Sequence, residues 1–206
     1  MTTIKAVCWD FGGVISSNPF EAFNRYEERN GLPRDFIRTL NATNPDTNAW
    51  SKLERSEVDF AEFCRLFEAE AEAAGGTLDA VELMPLLAGE VRPQMVEAVR
   101  RCKEQLKTAL LTNNWMRTDG NRDPSGVLNL FDVIVESSAA GVRKPDPEFY
   151  RMALDQLEVE PSEAVFLDDL GINLKPARAL GMTTIKVTDP DEALDQLEAV
   201  VGFPVR

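Results

Sequence analysis

One aspartate of the sequence directly follows a short apolar stretch and precedes two glycines. The residues from Ile4 to Trp9 predict a buried strand, and Asp10, Phe11, Gly12 and Gly13 come next. In an open parallel sheet, ligands bind at the carboxyl ends of the strands, so Asp10 would stand where chemistry takes place. The alternative interpretation is an aspartate that caps a turn, with glycines that only shape the turn.

Polar pairs follow two later apolar stretches: Thr112-Asn113 after residues 108–111, and Asp168-Asp169 after residues 164–167. A lone lysine, Lys144, lies between them in a Gly-Val-Arg-Lys-Pro loop. If the strands are parallel neighbours, all these side chains and the first aspartate converge on one edge of the sheet.

Such a cluster of carboxylates requires a cation. Carboxylates about 5 Å apart repel each other by roughly 3 kcal/mol per pair at an effective dielectric constant of 20. Hard oxygen ligands beside a single lysine suit Mg²⁺ together with a phosphate group, and the absence of histidine from the sequence argues against zinc or copper. We therefore expect Mg²⁺ as cofactor and a small phosphorylated compound as substrate.

These four motifs resemble those of the haloacid dehalogenase superfamily, over essentially the whole chain. They are the aspartate after the first strand, Thr-Asn after the second, Lys-Pro in a loop, and Asp-Asp-x-Gly-x-Asn after a later strand. Within the superfamily, residues 111–115 and 166–178 are most similar to the N-terminal phosphatase domain of soluble epoxide hydrolase and its bacterial sugar-phosphatase relatives. The resemblance implies a phosphomonoester hydrolase, with a sugar phosphate preferred over a lipid phosphate.

The resemblance also implies a role for each motif residue. Asp10 would be the nucleophile that forms an aspartyl-phosphate. Mg²⁺ would be held by the Asp10 carboxylate, the main-chain carbonyl of Gly12 and the Asp169 carboxylate, with Asp168 and Asn173 in support.

The phosphoryl group would be bound by Lys144, Thr112, Asn113 and the main-chain amides of Phe11 and Gly12. Without the resemblance, the Thr-Asn pair could simply cap a helix, and the loop lysine could be solvated.

Gly12 departs from the family pattern, because most phosphatases of the family carry a second aspartate at this position. This departure leaves two alternatives to a phosphomonoester hydrolase open. The first is a catalytically silent protein that binds phosphate or a partner. The second is a metal-independent haloacid dehalogenase, although the Asp168-Asp169 pair has little purpose without a cation.

The elements that must position these residues are of two kinds. Strands and helices alternate over the C-terminal half, which predicts an α/β fold with a doubly wound, Rossmann-like parallel sheet. Residues 18–88 show only helical periodicity. We expect them to form an inserted all-helical cap above the first strand, with residues 1–17 and 89–206 as the catalytic core. Phe20 and Trp50 are candidates for cap residues that reach the substrate, although they could also pack inside the cap.

Particular boundaries can also be predicted. A first cap helix should end at Asn30-Gly31, and a second should start at Leu32-Pro33. Residues 41–48 and 114–129 should be connectors, residues 131–135 a strand, and residues 137–143 a loop that delivers the lysine.

Composition excludes some classes of protein. The chain has 206 residues, of which 44% are hydrophobic, and its formal charge is −13, which disfavours nucleic acid and anionic membranes as partners. No apolar run could span a bilayer, and the first residues lack a signal-peptide pattern. Three unpaired cysteines, at positions 8, 64 and 102, fit a reducing compartment as small core or surface residues. We expect a cytoplasmic protein.

Overall fold

The chain folds around a five-stranded parallel sheet in a computed structural model that describes residues 3–115 and 126–206. Most of the predicted connector at residues 114–129 lies outside these described residues. The strands are β1 (Ala6–Trp9), β2 (Lys107–Thr112), β3 (Val133–Glu136), β4 (Ala164–Asp168) and β5 (Thr183–Lys186). Their spatial order is β3-β2-β1-β4-β5, and every neighbouring pair is parallel.

The order of the strands fixes where a ligand can bind. β1 lies at the centre, with β2 and β3 on one side and β4 and β5 on the other. The chain therefore reverses its direction of winding between β1 and β4, and such a switch point opens a crevice at the carboxyl ends of the strands. Trp9 is in register with both Leu110 and Leu167, so the residues that follow them meet at that edge.

Helices cover both faces of the sheet, which confirms the predicted doubly wound α/β fold. Alternate residues of β1 serve the two faces: Val7 and Trp9 pack into one hydrophobic cluster, and Ala6 and Cys8 pack into the other. The helices of this part are α6 (Pro93–Lys103), α7 (Ser137–Ala140), α8 (Pro147–Leu157), α9 (Gly171–Leu180) and α10 (Pro190–Val201).

Residues 18–88, which the structure describes throughout, contain helices and no strand. We call them the helical segment. Its helices are α1 (Pro19–Asn30), α2 (Phe36–Ala42), α3 (Ala49–Glu54), α4 (Phe60–Ala73) and α5 (Ala80–Leu83), followed by a 3₁₀ turn at Met84–Leu87. The segment has its own hydrophobic cluster, in which Phe23, Ile37, Phe63 and Phe67 are almost completely buried.

Several elements differ from the sequence-based expectation, among them β3, which runs from Val133 to Glu136 and not over residues 131–135. α2 begins at Phe36 and not after Pro33, because Asp35 has a φ of +61° and the buried Glu27 carboxylate accepts the N–H groups of Asp35 and Ile37. α3 was not expected, since six residues are too few to show a helical period. Residues 137–140 form a short helix, α7, where a loop was expected.

Two further observations concern the whole of the described chain. None of its helices combines the length and the apolar character that crossing a membrane requires. All three cysteines are buried free thiols. Burial raises the pKa of Cys8 and of Cys102 to about 12, so these thiols are packing residues and not reactive ones.

Candidate active site

Lys144 is completely buried between two carboxylates at the carboxyl edge of the sheet. Its Nζ lies 2.7 Å from Oδ1 of Asp10 and 2.8 Å from Oδ2 of Asp168. Burial alone would lower the pKa of Lys144, but the two carboxylates outweigh it and the pKa is raised. The lysine is therefore a fixed positive charge, not a solvated loop residue.

The loop that carries Lys144 is attached to the end of β2 by Asn113. The Asn113 amide donates to the Lys144 carbonyl (3.0 Å), and its Oδ1 accepts the Lys144 main-chain N–H (2.9 Å). These two hydrogen bonds fix the Asn113 side chain and leave one N–H of its amide and its main-chain N–H as donors.

Asp168 is the best satisfied of the acidic residues at this edge. Its Oδ1 accepts from Leu170 N (2.8 Å), and its Oδ2 accepts from Lys144. The Asn173 amide lies 3.1 Å from both oxygens. Asn173 is held in turn by the Tyr150 hydroxyl, which donates to its carbonyl. Asp168 is fully buried, and these donors leave it no lone pair directed at a ligand.

Asp169 is held differently, by a residue at the start of the helical segment. Its Oδ2 accepts a hydrogen bond of 2.9 Å from the side-chain amide of Asn18. Burial and the neighbouring Asp168 raise the pKa of Asp169 to about 6, and Lys144 and Arg92 oppose the shift. Burial also raises the pKa of Asp10, again against Lys144. Both carboxylates would thus be stabilised by a further positive charge.

The donor set fits a small divalent cation. Asp10, Asp168 and Asp169 each offer an oxygen within 4.8 Å of those of the other two. Asp10 uses Oδ1 for Lys144 and the Phe11 N–H, and Asp169 uses Oδ2 for Asn18. Within the described residues, no other residue donates a hydrogen bond to Oδ2 of Asp10 or to Oδ1 of Asp169. Two carboxylate oxygens in a water-poor crevice are the hard ligands that Mg²⁺ takes.

The two glycines after Asp10 have different surroundings. Gly13 has a φ of +78°, and a Cβ placed on it would lie 2.4 Å from Oδ2 of Asp169. Gly12 has an ordinary φ of −68°, and its nearest neighbour would be Cδ of Pro19 at 3.9 Å. Of these two positions, only Gly13 therefore requires the absence of a side chain.

Gly13→Ala is expected to weaken Mg²⁺ binding at least about 10-fold, because the new methyl group displaces the Asp169 carboxylate. Gly12→Ala is the matched control and should bind Mg²⁺ like the original protein. Isothermal titration calorimetry measures both affinities. Equal affinities in the two variants would contradict this account of Asp169.

The remaining predicted residues also lie at this edge. Thr112 ends β2 and is half-buried, and its hydroxyl makes no hydrogen bond to any residue of the described part of the chain. Phe11 and Gly12 are half-buried in the turn that follows Asp10. The structure thus brings Asp10, Lys144 and Asp168 into direct contact at this edge of the sheet. The two candidate cap residues, Phe20 and Trp50, pack instead against the hydrophobic cluster of the helical segment.

Other residues around the site were missed. Asn18 could be predicted as a helix cap before Pro19, but its contact with Asp169 spans 151 residues. Arg92 donates to the Gly13 carbonyl (2.7 Å) and so fixes the turn after Asp10. Neither contact has a signal in the local sequence.

A buried ion pair joins the helical segment to the lysine loop. Arg143 Nε lies 2.8 Å from Oε2 of Glu54, without the alignment of a hydrogen bond, and Glu54 Oε1 accepts from the Trp50 indole (2.9 Å). Burial raises the pKa of Glu54, and Arg143 opposes the shift. Trp50 also contacts Trp115, which follows β2, at 6.5 Å between ring centroids.

The fold is a doubly wound parallel α/β sheet, and its carboxyl edge gathers three carboxylates and one buried lysine that pairs with two of them. The chain belongs to the haloacid dehalogenase-like hydrolases, whose family model matches residues 4–181.

Similar proteins agree with this assignment. The chain is 32% identical to mouse bifunctional epoxide hydrolase 2 over 98% of its length and 40% of that enzyme. It is 27% identical to the sesquiterpene phosphatase astK of Aspergillus oryzae over 98% of both chains. The chain spans less than half the length of the first curated relatives that it matches. A family enzyme from Bacteroides thetaiotaomicron, solved with magnesium and inorganic phosphate, superposes with a TM-score of 0.62 at 18% identity, covering 89% of this chain and 93% of that one.

Proposed function

We propose that the chain is a Mg²⁺-dependent phosphomonoester hydrolase that forms an aspartyl-phosphate on Asp10. The observation that carries this proposal is the division of roles among the three carboxylates. Asp168 is fully engaged with Lys144 and Asn173, whereas Asp10 and Asp169 each keep one oxygen to which no other described residue donates. Relatives named as phosphatases support the reaction class.

In the proposed reaction, the Asp10 carboxylate attacks phosphorus and the bond to the ester oxygen breaks. The leaving oxygen takes its proton from solvent, because position 12 carries no acid. Water then cleaves the aspartyl-phosphate, which releases inorganic phosphate and restores the Asp10 carboxylate. Lys144, the Thr112 hydroxyl and the main-chain amides of Phe11 and Gly12 stabilise charge on the phosphoryl oxygens.

The residues that would hold Mg²⁺ are Asp10, Asp169 and Gly12, the last through its main-chain carbonyl, with Asp168 and Asn173 in support. When bound, the cation would supply further positive charge at the phosphoryl oxygens. Asn113 assists by holding the lysine loop with its side chain and by offering its remaining N–H donors to the phosphoryl group.

We further propose that residues 18–88 act as a cap over this site and that residues 1–17 and 89–206 are the catalytic core. The separate hydrophobic cluster of the helical segment supports this division. Polar contacts also join the segment to the rim of the site: Asn18 to Asp169, Glu54 to Arg143, and the Ser56 hydroxyl to the Ser138 carbonyl.

For the substrate we propose a small soluble phosphomonoester, with sugar phosphates as the first class to test on the strength of the family resemblance. A specific observation favours a second class with an apolar leaving group. Half-buried Phe20 and Trp50 belong to an aromatic series that includes Phe23 and reaches Trp115 near the end of β2. The buried free cysteines support a reducing compartment such as the cytoplasm.

The test is a panel of sugar, alkyl, terpenyl and aryl phosphates, assayed with Mg²⁺ and with chelator. Removal of the metal should lower turnover at least about 10²-fold, because metal stabilisation of phosphoryl charge contributes several kcal/mol. Binding of phosphorylated compounds without any turnover would identify a silent binder. Chelator-resistant hydrolysis of a 2-haloacid would identify a dehalogenase instead.

Gly12 leads to a prediction about leaving groups. A general acid at this position is typically worth about 10² to 10⁴ in rate, so its absence should favour aryl over alkyl phosphates. The phosphoenzyme should also accumulate, because no side chain at position 12 activates water. Rapid-quench experiments measure its level during turnover.

Gly12→Asp should raise turnover of alkyl phosphates more than of aryl phosphates, and a Cβ at position 12 would meet nothing closer than Cδ of Pro19 at 3.9 Å. Gly12→Asn is the control, since it has the same shape without the acid. If no phosphoenzyme builds up and alkyl and aryl phosphates react equally fast in the original protein, another group supplies the proton.

A further inference from the structure

Asn18 joins the helical segment to the candidate metal site through a single side chain. Its Oδ1 accepts the Phe20 N–H (2.8 Å) and so caps α1, the first helix of the segment. Its Nδ2 donates to Oδ2 of Asp169 (2.9 Å). One amide group therefore binds an element of the segment at one end and a carboxylate of the core at the other.

The position of Asn18 in the chain makes its contact with Asp169 sensitive to movement of the helical segment. The two connections between the helical segment and the core run side by side: Ser17 N donates to Glu90 O (2.8 Å), and Ser16 forms an antiparallel bridge with Val91. Asn18 is the first residue beyond this paired stretch. Any rotation of the segment about the two connections must therefore move the Asn18 amide relative to Asp169.

The geometry around Asp169 shows how the Asn18 amide orients the Asp169 carboxylate. Oδ2 is fixed by Asn18 and packs over Gly13 so closely that no Cβ could stand there. The orientation of Oδ2 also determines the orientation of Oδ1, the oxygen that has no donor among the described residues. An outer group that orients a metal ligand in this way typically contributes 10- to 100-fold to metal affinity.

We propose that Asn18 is a positioning residue that orients Asp169 for the cation and makes Mg²⁺ affinity depend on the position of the helical segment. This inference rests on the proposed function, because it assumes a cation at Asp169. The coupling is reciprocal. If the segment position seen here raises Mg²⁺ affinity by a given factor, bound Mg²⁺ stabilises that position by the same factor.

The variant that tests the proposal is Asn18→Ser, because serine caps a helix as well as asparagine does but has no amide to reach Asp169. Isothermal titration calorimetry should show Mg²⁺ affinity lowered by about 10- to 100-fold. The melting temperature in chelator should stay close to that of the original protein. Asp59→Ser exchanges the cap of α4 in the same way, away from the carboxylates, and should leave the affinity unchanged.

Hydrogen exchange supplies a second measurement that a purely structural role would not change. In the original protein, Mg²⁺ should slow amide exchange at residues 17, 18, 20 and 89–91, and in Asn18→Ser this protection should disappear. Asn18→Thr, another capping residue without an amide, repeats both measurements if the serine variant is unstable.

The measurements distinguish failure of the role of Asn18 from failure of the proposed function. Unchanged Mg²⁺ affinity and unchanged protection in the Asn18 variants, with binding abolished in Asp169→Asn, would overturn the role of Asn18 and leave the proposed function intact. Absence of Mg²⁺ binding in the original protein would overturn the proposed function itself.

Discussion

Asp10→Asn is expected to lower kcat for phosphomonoester hydrolysis by about 10⁴-fold or more, since an amide cannot form the acyl-phosphate linkage. The substitution keeps the size of the side chain and the space around it. It removes the negative charge that faces Lys144 at 2.7 Å and one ligand of the proposed cation. Steady-state kinetics at saturating substrate measures the loss, and acid quenching should detect no phosphoenzyme.

Asp155→Asn is a suitable control for this experiment. Asp155 is exposed on α8, so the variant changes the net charge equally without touching the site, and its activity should be unaffected. Mass spectrometry must show that the amide at position 10 has not reverted to the acid. Substantial turnover in a verified Asp10→Asn protein would remove Asp10 from the mechanism.

Lys144→Met should both inactivate and destabilise the protein. Methionine fills much of the space of the lysine stem but leaves Asp10 and Asp168 buried without their shared positive charge. Removal of one partner from a buried ion pair costs about 3–5 kcal/mol of unfolding free energy. Loss of a preorganised charge at the phosphoryl group adds a decrease in kcat of about 10²- to 10³-fold. Urea denaturation in chelator and steady-state kinetics measure the two effects.

The stability loss should depend on pH in a defined direction. Burial already raises the pKa of Asp10 against the opposing effect of Lys144, and removal of the lysine raises it further. A group with a raised pKa in the folded state loses its stabilising contribution as pH rises through that pKa. The variant should therefore be closer in stability to the original protein at pH 5 than at pH 8.

Lys103→Met is the matched control. Lys103 also forms a short ion pair, with Asp132 at 2.9 Å, but both side chains are more than one-third exposed. Loss of an exposed pair costs at most about 1 kcal/mol. If the two lysine variants are equally stable, burial is not what makes Lys144 important.

The sheet and the site could be predicted from the sequence because parallel strands bring their carboxyl ends together. Asp10, Thr112 and Asp168 each follow or end an apolar run, so their meeting at one edge follows from the strand pattern alone. The division of roles between Asp168 and Asp169 was supplied by the family resemblance, because adjacent acids are indistinguishable by type. Only the structure shows that Lys144 pairs with Asp168.

Contacts between distant parts of the chain could not be predicted in this way. Neither the bond from Asn18 to Asp169 nor the pair of Glu54 and Arg143 has a local signature, since each depends on how the helical segment sits on the sheet. The late start of α2 has a similar origin. The side chain of Glu27, eight residues earlier, captures the N–H of Asp35 and thereby overrides the local preference.

The pairing of the two connections at Ser16–Ser17 and Glu90–Val91 has a consequence for chain topology. The helical segment leaves the core and returns to it at adjacent points, so in connectivity it is a single long surface loop. A short turn could join Ser17 directly to Glu90 without crossing the sheet or altering the order of its strands. The fold of the core thus places no limit on the length of this loop, which makes it a point where unrelated sequences can be exchanged as modules.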